Sequence, residues 1–172
     1  MDQAKDFSYV RNEDNTMTLT AYSGAEAEEN IPSEIGGAKV TGIASECFFG
    51  NVKLAELTVS EGVTWIGNYA FECCSALRSV NLPETLVRIG EGAFSDCGML
   101  ASVDLGGVER IGSGAFLYCG KLEALVLPES LSGMGDFAFA GCVALKSVRF
   151  SVSIPPRQCT KTGRIEHRFR RD

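Results

Sequence analysis

One short string of residues recurs five times along the chain at a nearly constant spacing. Four copies read Ile or Met, then Gly, two variable residues, Ala and Phe, and the first copy, at 43–48, reads Ile-Ala-Ser-Glu-Cys-Phe. The closing residues are separated by 23, 23, 22 and 23 positions, and they are Phe48, Phe71, Phe94, Phe116 and Phe139. A fixed period of this size predicts a solenoid, in which each unit packs only against its neighbours.

A second set of apolar residues predicts a strand in every repeat. Each copy carries a Leu six residues after its Phe, followed by an alternating pair of apolar residues such as Leu57/Val59 or Val80/Leu82. Alternation with a period of two is typical of a strand with one buried face. The spacing also matches the strand segment of leucine-rich repeats of 20–29 residues. We therefore predict an α/β-type repeat solenoid: a right-handed leucine-rich repeat coil with a parallel sheet on one face and a short helical or 3₁₀ turn, such as 90–94, on the other.

The pattern divides the chain into three segments. Residues 1–30 are predicted to form an N-terminal β-hairpin cap, because two apolar runs flank a polar turn at 12–15. Residues 31–150 are predicted to form the array, with about five repeats of 22–23 residues after a degenerate first strand. Residues 151–172 lack the repeated string, and we predict a basic, flexible tail.

The charge distribution argues against nucleic acid as a partner. Residues 1–150 carry 10 Lys and Arg against 20 Asp and Glu, a net charge of −10, whereas residues 151–172 carry 6 against 2, a net charge of +4. An acidic body repels phosphate. No apolar run approaches the ~20 residues needed to cross a bilayer, so membrane insertion is not expected. The first residues lack the apolar region of a signal peptide.

The chain offers few groups for catalysis. The single His, His167, lies in the basic segment, and a Ser-His or Cys-His site would need it folded against the body. Four Cys residues follow the repeat Phe by three positions and form one column: Cys74, Cys97, Cys119 and Cys142. Buried and reduced packing of this column is the favoured interpretation, although neighbouring members could come within disulfide distance. We predict no catalytic residue, cofactor or metal site.

The repeat resembles that of the BspA-like leucine-rich repeat family. The matching string is Val-x-x-Ile-Gly-x-x-Ala-Phe-x-x-Cys-x-x-Leu-x-x-Val-x-Leu-Pro, which 63–83 and 87–105 carry almost intact. The departures are Ala44 for Gly, Asn51 for Cys and Met134 for Ile. The resemblance implies a non-catalytic, secreted or cell-surface protein that binds other proteins or cells. Because no signal peptide is visible, a cytoplasmic location stays open.

Partner binding is the function that we expect, through outward residues of the strands. The candidate binding residues are Glu56, Thr58, Trp65, Ser79, Asn81, Ser102, Asp104, Val126, Ser147 and Arg149. Trp65 is included because an exposed Trp is a typical anchor at interfaces, although it could equally pack over Tyr69 or the cap. We expect a monomer that binds a protein or a cell-surface glycan. The alternatives are a plain soluble sheet face, or a structural fragment that acts as a scaffold in a longer array, including an array inside the cell.

Overall fold

The computed structural model describes residues 5–150, excluding the side chain of Phe150. The predicted tail at 151–172, with His167 and Cys159, lies outside the described residues. Fourteen strands are present in the described part, and most are very short. They are β1 (Phe7–Arg11), β2 (Met17–Tyr22), β3 (Glu28–Ile31), β4 (Glu34–Ile35), β5 (Ala38–Ile43), β6 (Glu56–Val59), β7 (Trp65–Ile66), β8 (Ser79–Asn81), β9 (Arg88–Ile89), β10 (Ser102–Val103), β11 (Arg110–Ile111), β12 (Ala124–Leu127), β13 (Gly133–Met134) and β14 (Ser147–Phe150).

The predicted leucine-rich strands stack in parallel, one from each coil. Strands β3, β6, β8 and β10 form a four-stranded parallel sheet, and β12 pairs with β14 in the same way. Between these two groups the coils stay in contact through a hydrogen bond from the Glu123 amide to the Ala101 carbonyl (3.3 Å). The alternating Leu and Val side chains point inward, as at Leu57 and Val59, which are buried. We call the outward side of these strands the strand face.

A second sheet, which the sequence analysis did not predict, forms another side of each coil. Its order is β1-β2-β5-β7-β9-β11-β13, and the pairs from β2 to β13 are all parallel. From β7 onward, each of its strands is only two residues long, with an outward residue before the buried or half-buried Ile or Met of the repeat. The antiparallel hairpin of β1 and β2 stands at the N-terminal end of this sheet.

A column of stacked aromatic rings fills the interior, as the period predicted. The centroids of successive rings, from Phe48 to Phe139, lie 4.7–5.3 Å apart, and the last three pairs are within 7° of parallel. Tyr22 of the hairpin extends the column and stacks on Phe48 at 4.7 Å. The hairpin therefore covers the first Phe with a ring of its own. The Tyr22 hydroxyl donates to the Glu29 carboxylate (2.6 Å).

The predicted helical or 3₁₀ turn is not confirmed, because residues 5–150 contain turns there and no helix. The amides around each Phe donate to the next coil instead. In one coil the amide of Phe71 donates to the Ala93 carbonyl (2.8 Å), and that of Tyr69 donates to the Glu91 carbonyl (2.8 Å). The residues two positions before and after each Phe adopt positive φ, near 60° at both Tyr69 and Cys73. Left-handed residues interrupt a right-handed helix, so the segment forms turns.

The Gly of the repeated string is required by close contact between coils. A Cβ at Gly90 would lie 2.6 Å from the carbonyl carbon of Gly67 and 2.7 Å from the Asn68 nitrogen. The equivalent Gly residues 67, 112 and 135 face the backbone of the preceding coil in the same way. In the first copy Ala44 holds this position, and its amide donates to the Leu19 carbonyl of the hairpin (2.8 Å).

Candidate functional site

The strand face aligns its outward residues in two columns. Strand pairing places Glu28, Glu56, Ser79 and Ser102 in one column, and Asn30, Thr58 and Asn81 in the other. Asp104 follows Val103 at the end of β10. In the last two strands Ala124 pairs with Ser147, and Val126 pairs with Arg149. All of these side chains are exposed or half-buried. Nine of the ten predicted residues thus share one surface.

The strand face is polar, and hydrogen bonds hold only a few of its side chains in place. The Asn81 amide donates to the Thr58 hydroxyl (3.4 Å), and the Asp104 carboxylate accepts from the Gly106 amide (3.0 Å). Glu28 and Glu56 lie directly opposite each other on adjacent strands, an arrangement that normally destabilises a sheet. Glu28 and Asn30 were missed by the sequence analysis, although the Ile-Pro that ends their strand resembled the Leu-Pro of later repeats.

Trp65 does not belong to the strand face. It lies on β7 in the second sheet, in register with Gly42 on one side and Arg88 on the other. Its indole covers Gly42, since a Cβ at Gly42 would lie 2.5 Å from the indole nitrogen. The side chain is half-buried. It packs over Gly42 of β5, within the predicted array, and it is separated from the other nine candidates.

A family model decides what the repeat is. The model of the BspA type leucine rich repeat region matches residues 40–156, more than half of the chain, with 6 copies. The chain belongs to this BspA-type family. No functionally curated protein is significantly similar to it.

Solved bacterial leucine-rich repeat proteins have the same fold. A leucine rich repeat protein of T. pallidum is 35% identical with a TM-score of 0.83, over 84% of this chain and 69% of that one. A leucine-rich repeat protein from Bacteroides ovatus is 30% identical with a TM-score of 0.77, over 84% of this chain and 40% of that one. A leucine rich cell surface protein from Faecalibacterium prausnitzii is 21% identical, with a TM-score of 0.56 over 88% of this chain and 55% of that one, and it supports the fold alone.

The Cys column of this BspA-type array holds coils together. The Cys97 thiol donates to the Phe71 carbonyl of the preceding coil (3.2 Å), and Cys74, Cys119 and Cys142 repeat this contact at the same distance. Burial raises the pKa of Cys97, and it raises the pKa of Cys74 to about 12. The reactive form of a cysteine is the thiolate, so these thiols are poor nucleophiles at neutral pH.

The described residues contain no cluster that suggests metal binding. Within 5–150, no group of three or more His, Cys, Asp and Glu side chains could hold a metal ion. Over the same residues, no helix is long and apolar enough to span a membrane.

Proposed function

We propose that this BspA-type array is a non-catalytic recognition module that binds a protein or a cell-surface glycan through the strand face. The observation that carries the proposal is the strand face itself: outward residues from six strands aligned in two columns and supported by a buried core. Mostly small side chains leave a flat surface, which suits a broad contact. The buried thiols beneath offer no reactive group.

A secreted or surface location fits this proposal. The F. prausnitzii protein of the same fold is described as a cell surface protein. Protease shaving of intact source cells, followed by mass spectrometry of peptides from 54–149, tests the location. Recovery from unlysed cells is expected, whereas recovery only after lysis would leave an intracellular scaffold as the better account.

The binding face is tested with two matched arginine substitutions. Purified protein is screened against immobilised extracellular matrix proteins and a glycan array, and the strongest binder is re-measured with variants. Asn81→Arg introduces a large side chain at the centre of the strand face, and Ser113→Arg introduces the same side chain at an exposed position away from the face. We expect Asn81→Arg to weaken binding at least tenfold and Ser113→Arg to leave it unchanged. Equal binding by both variants would contradict the proposal.

A structural role in a longer array is the second candidate function. Tyr69 and Tyr118 have positive φ, and each packs its ring onto a Gly of the next coil. A Cβ at Gly92 would lie 2.5 Å from the Cε1 atom of Tyr69, and a Cβ at Gly141 would lie 2.8 Å from the Cε1 atom of Tyr118. Phe137 occupies the same repeat position as Tyr69, yet it is 68% exposed. A further coil would cover it. Mass spectrometry of the protein from its source tests this: a mass above 18.4 kDa with further copies of the repeat supports the role. A mass of 18.4 kDa argues against it.

A further inference from the structure

Trp65, Arg88 and Arg110 form a row on the second sheet that the strand face does not explain. Strand pairing places Trp65 opposite Arg88, and Arg88 opposite Arg110. Adjacent strands lie about 4.8 Å apart, so the three side chains follow one another at that spacing. Gly42 and Gly133 are their register partners at the two ends of the row. We call Trp65, Arg88 and Arg110 the tryptophan–arginine strip.

Each end of the strip borders a Gly residue. The indole of Trp65 covers Gly42, on the side opposite Arg88. At the other end, Gly133 has no side chain to crowd Arg110: a Cβ at Gly133 would lie 3.9 Å from the Cγ atom of Arg110. Arg88 stands between Trp65, which is turned away from it, and Arg110. The strip is therefore an open surface with a fixed aromatic ring at one end.

Among residues 5–150, neither guanidinium group has a side-chain partner. Within 5–150 the salt bridges are Lys5–Asp6 and Lys146–Glu123, and no side-chain hydrogen bond involves Arg88 or Arg110. Both arginines are exposed. Within this described part of the chain, each guanidinium group keeps its five N–H donors, whose planar geometry matches a carboxylate.

The surrounding charge selects the kind of anion. Glu91 and Glu109 lie close to the arginines in sequence and are exposed, and the Glu91 carboxylate accepts the Tyr69 hydroxyl (2.6 Å). Residues 1–150 have a net charge of −10. A densely charged polyanion would be repelled by this body. Carboxylates spaced one sugar unit apart, each held by directed hydrogen bonds to one guanidinium, suit the site better.

The indole adds a contact that a simple anion would not use. A Trp ring has a negative face, which attracts the weakly positive C–H groups of a sugar ring, and it supplies a large rigid area. We propose that the tryptophan–arginine strip is a second binding site, for a carboxylated saccharide. The sugar packs on Trp65, its carboxylate pairs with Arg88, and Arg110 reaches an acidic sugar one unit further along.

The chain contains one Trp, so its fluorescence reports directly on the strip. The full chain is titrated with trigalacturonic acid, and the emission of Trp65 is recorded. We expect a saturable change with a Kd at or below about 1 mM, which corresponds to about −4 kcal/mol. The fully methyl-esterified trisaccharide, which lacks the charges, is expected to cause at least a tenfold weaker response.

Matched variants locate the binding. Arg88→Gln with Arg110→Gln removes the guanidinium groups and keeps polar side chains, and it is expected to weaken binding at least tenfold. Arg78→Gln removes an exposed arginine outside the strip and is expected to bind like wild type. Circular dichroism confirms that the variants fold, which they should, since both arginines are exposed.

Four results would overturn the proposal. The first is no saturable change in Trp65 emission up to about 10 mM trisaccharide, and the second is equal binding by wild type and the double Gln variant. The third is a loss of binding in Arg78→Gln equal to that in the double Gln variant. The fourth is tighter binding of a poly-glutamate peptide than of the saccharide. The last result would assign the strip to an acidic protein. Because the strand-face test uses Asn81→Arg, failure of either site leaves the other tested independently.

Discussion

Replacing Gly90 with Ala tests the contact that sets the spacing of the coils. The new Cβ would lie 2.6 Å from the Gly67 carbonyl carbon, about 1 Å closer than carbon atoms normally approach. Relief requires the coils to separate, which stretches the hydrogen bonds from the Gly90 amide to the Ile66 carbonyl (2.9 Å) and from the Glu91 amide to Asn68 (3.0 Å). Overpacking costs about 1–3 kcal/mol and each hydrogen bond about 1 kcal/mol, so the variant should lose about 3–5 kcal/mol.

Gly98→Ala is the matched control for this substitution. No atom lies within 4 Å of a Cβ at Gly98, and its φ is outside the left-handed region. Its free energy of unfolding should change by less than ~0.5 kcal/mol. Urea denaturation followed by circular dichroism measures both variants, and the melting temperature of Gly90→Ala should fall by roughly 10 °C. If the two variants lost similar stability, the Gly column would reflect backbone flexibility instead of contact between coils.

Other substitutions test the interior, the surface and the thiols. Phe94→Ala should lower the free energy of unfolding by about 3–5 kcal/mol in a denaturant melt, because it removes a buried ring from the middle of the stack. A loss near zero would mean that the Phe column does not stabilise the fold. Asp104→Ala should change stability by less than ~0.5 kcal/mol, since the side chain is exposed, and a large loss would mean that the strand faces are inverted. Phe137→Gly should gain about 1 kcal/mol by relieving a φ of 59° at a side chain that is 68% exposed, and a lower melting temperature would contradict this. Iodoacetamide at pH 8 should label exposed Cys73 and spare Cys97, whose burial raises its pKa; peptide mass spectrometry showing equal rates in the folded protein would refute the packed column.

The interior could be predicted because it repeats. A ring that stacks on its own copy every 22–23 residues leaves a periodic signal, and the structure confirms that the Phe column is buried. The one shorter repeat contains Gly106 and Gly107 in its connection. Gly106 has a φ of 37°, and a Cβ at Gly107 would clash with the Glu84 carbonyl oxygen, so this tighter connection needs both.

The second sheet could not be predicted from periodicity. Its strands from β7 onward are two residues long, too short to show any alternation. The same limit explains the placement of Trp65, whose column has no apolar pattern of its own. The prediction of a helical turn was not confirmed for another reason. Amides such as that of Phe71 donate to a carbonyl of the next coil, and the local sequence does not reveal which acceptor an amide uses.

The five copies serve as an internal comparison of what the fold requires. Inward positions keep nearly the same residue in every copy, because each must fit between two coils of the same shape. The outward column of the second sheet holds Trp65, Arg88 and Arg110 between two Gly residues, although the Ile column beside it hardly changes. Contact between coils therefore does not dictate the outward residues. The outward columns of both sheets differ from copy to copy, which is why binding specificity in this array is sought on the strand face and the tryptophan–arginine strip.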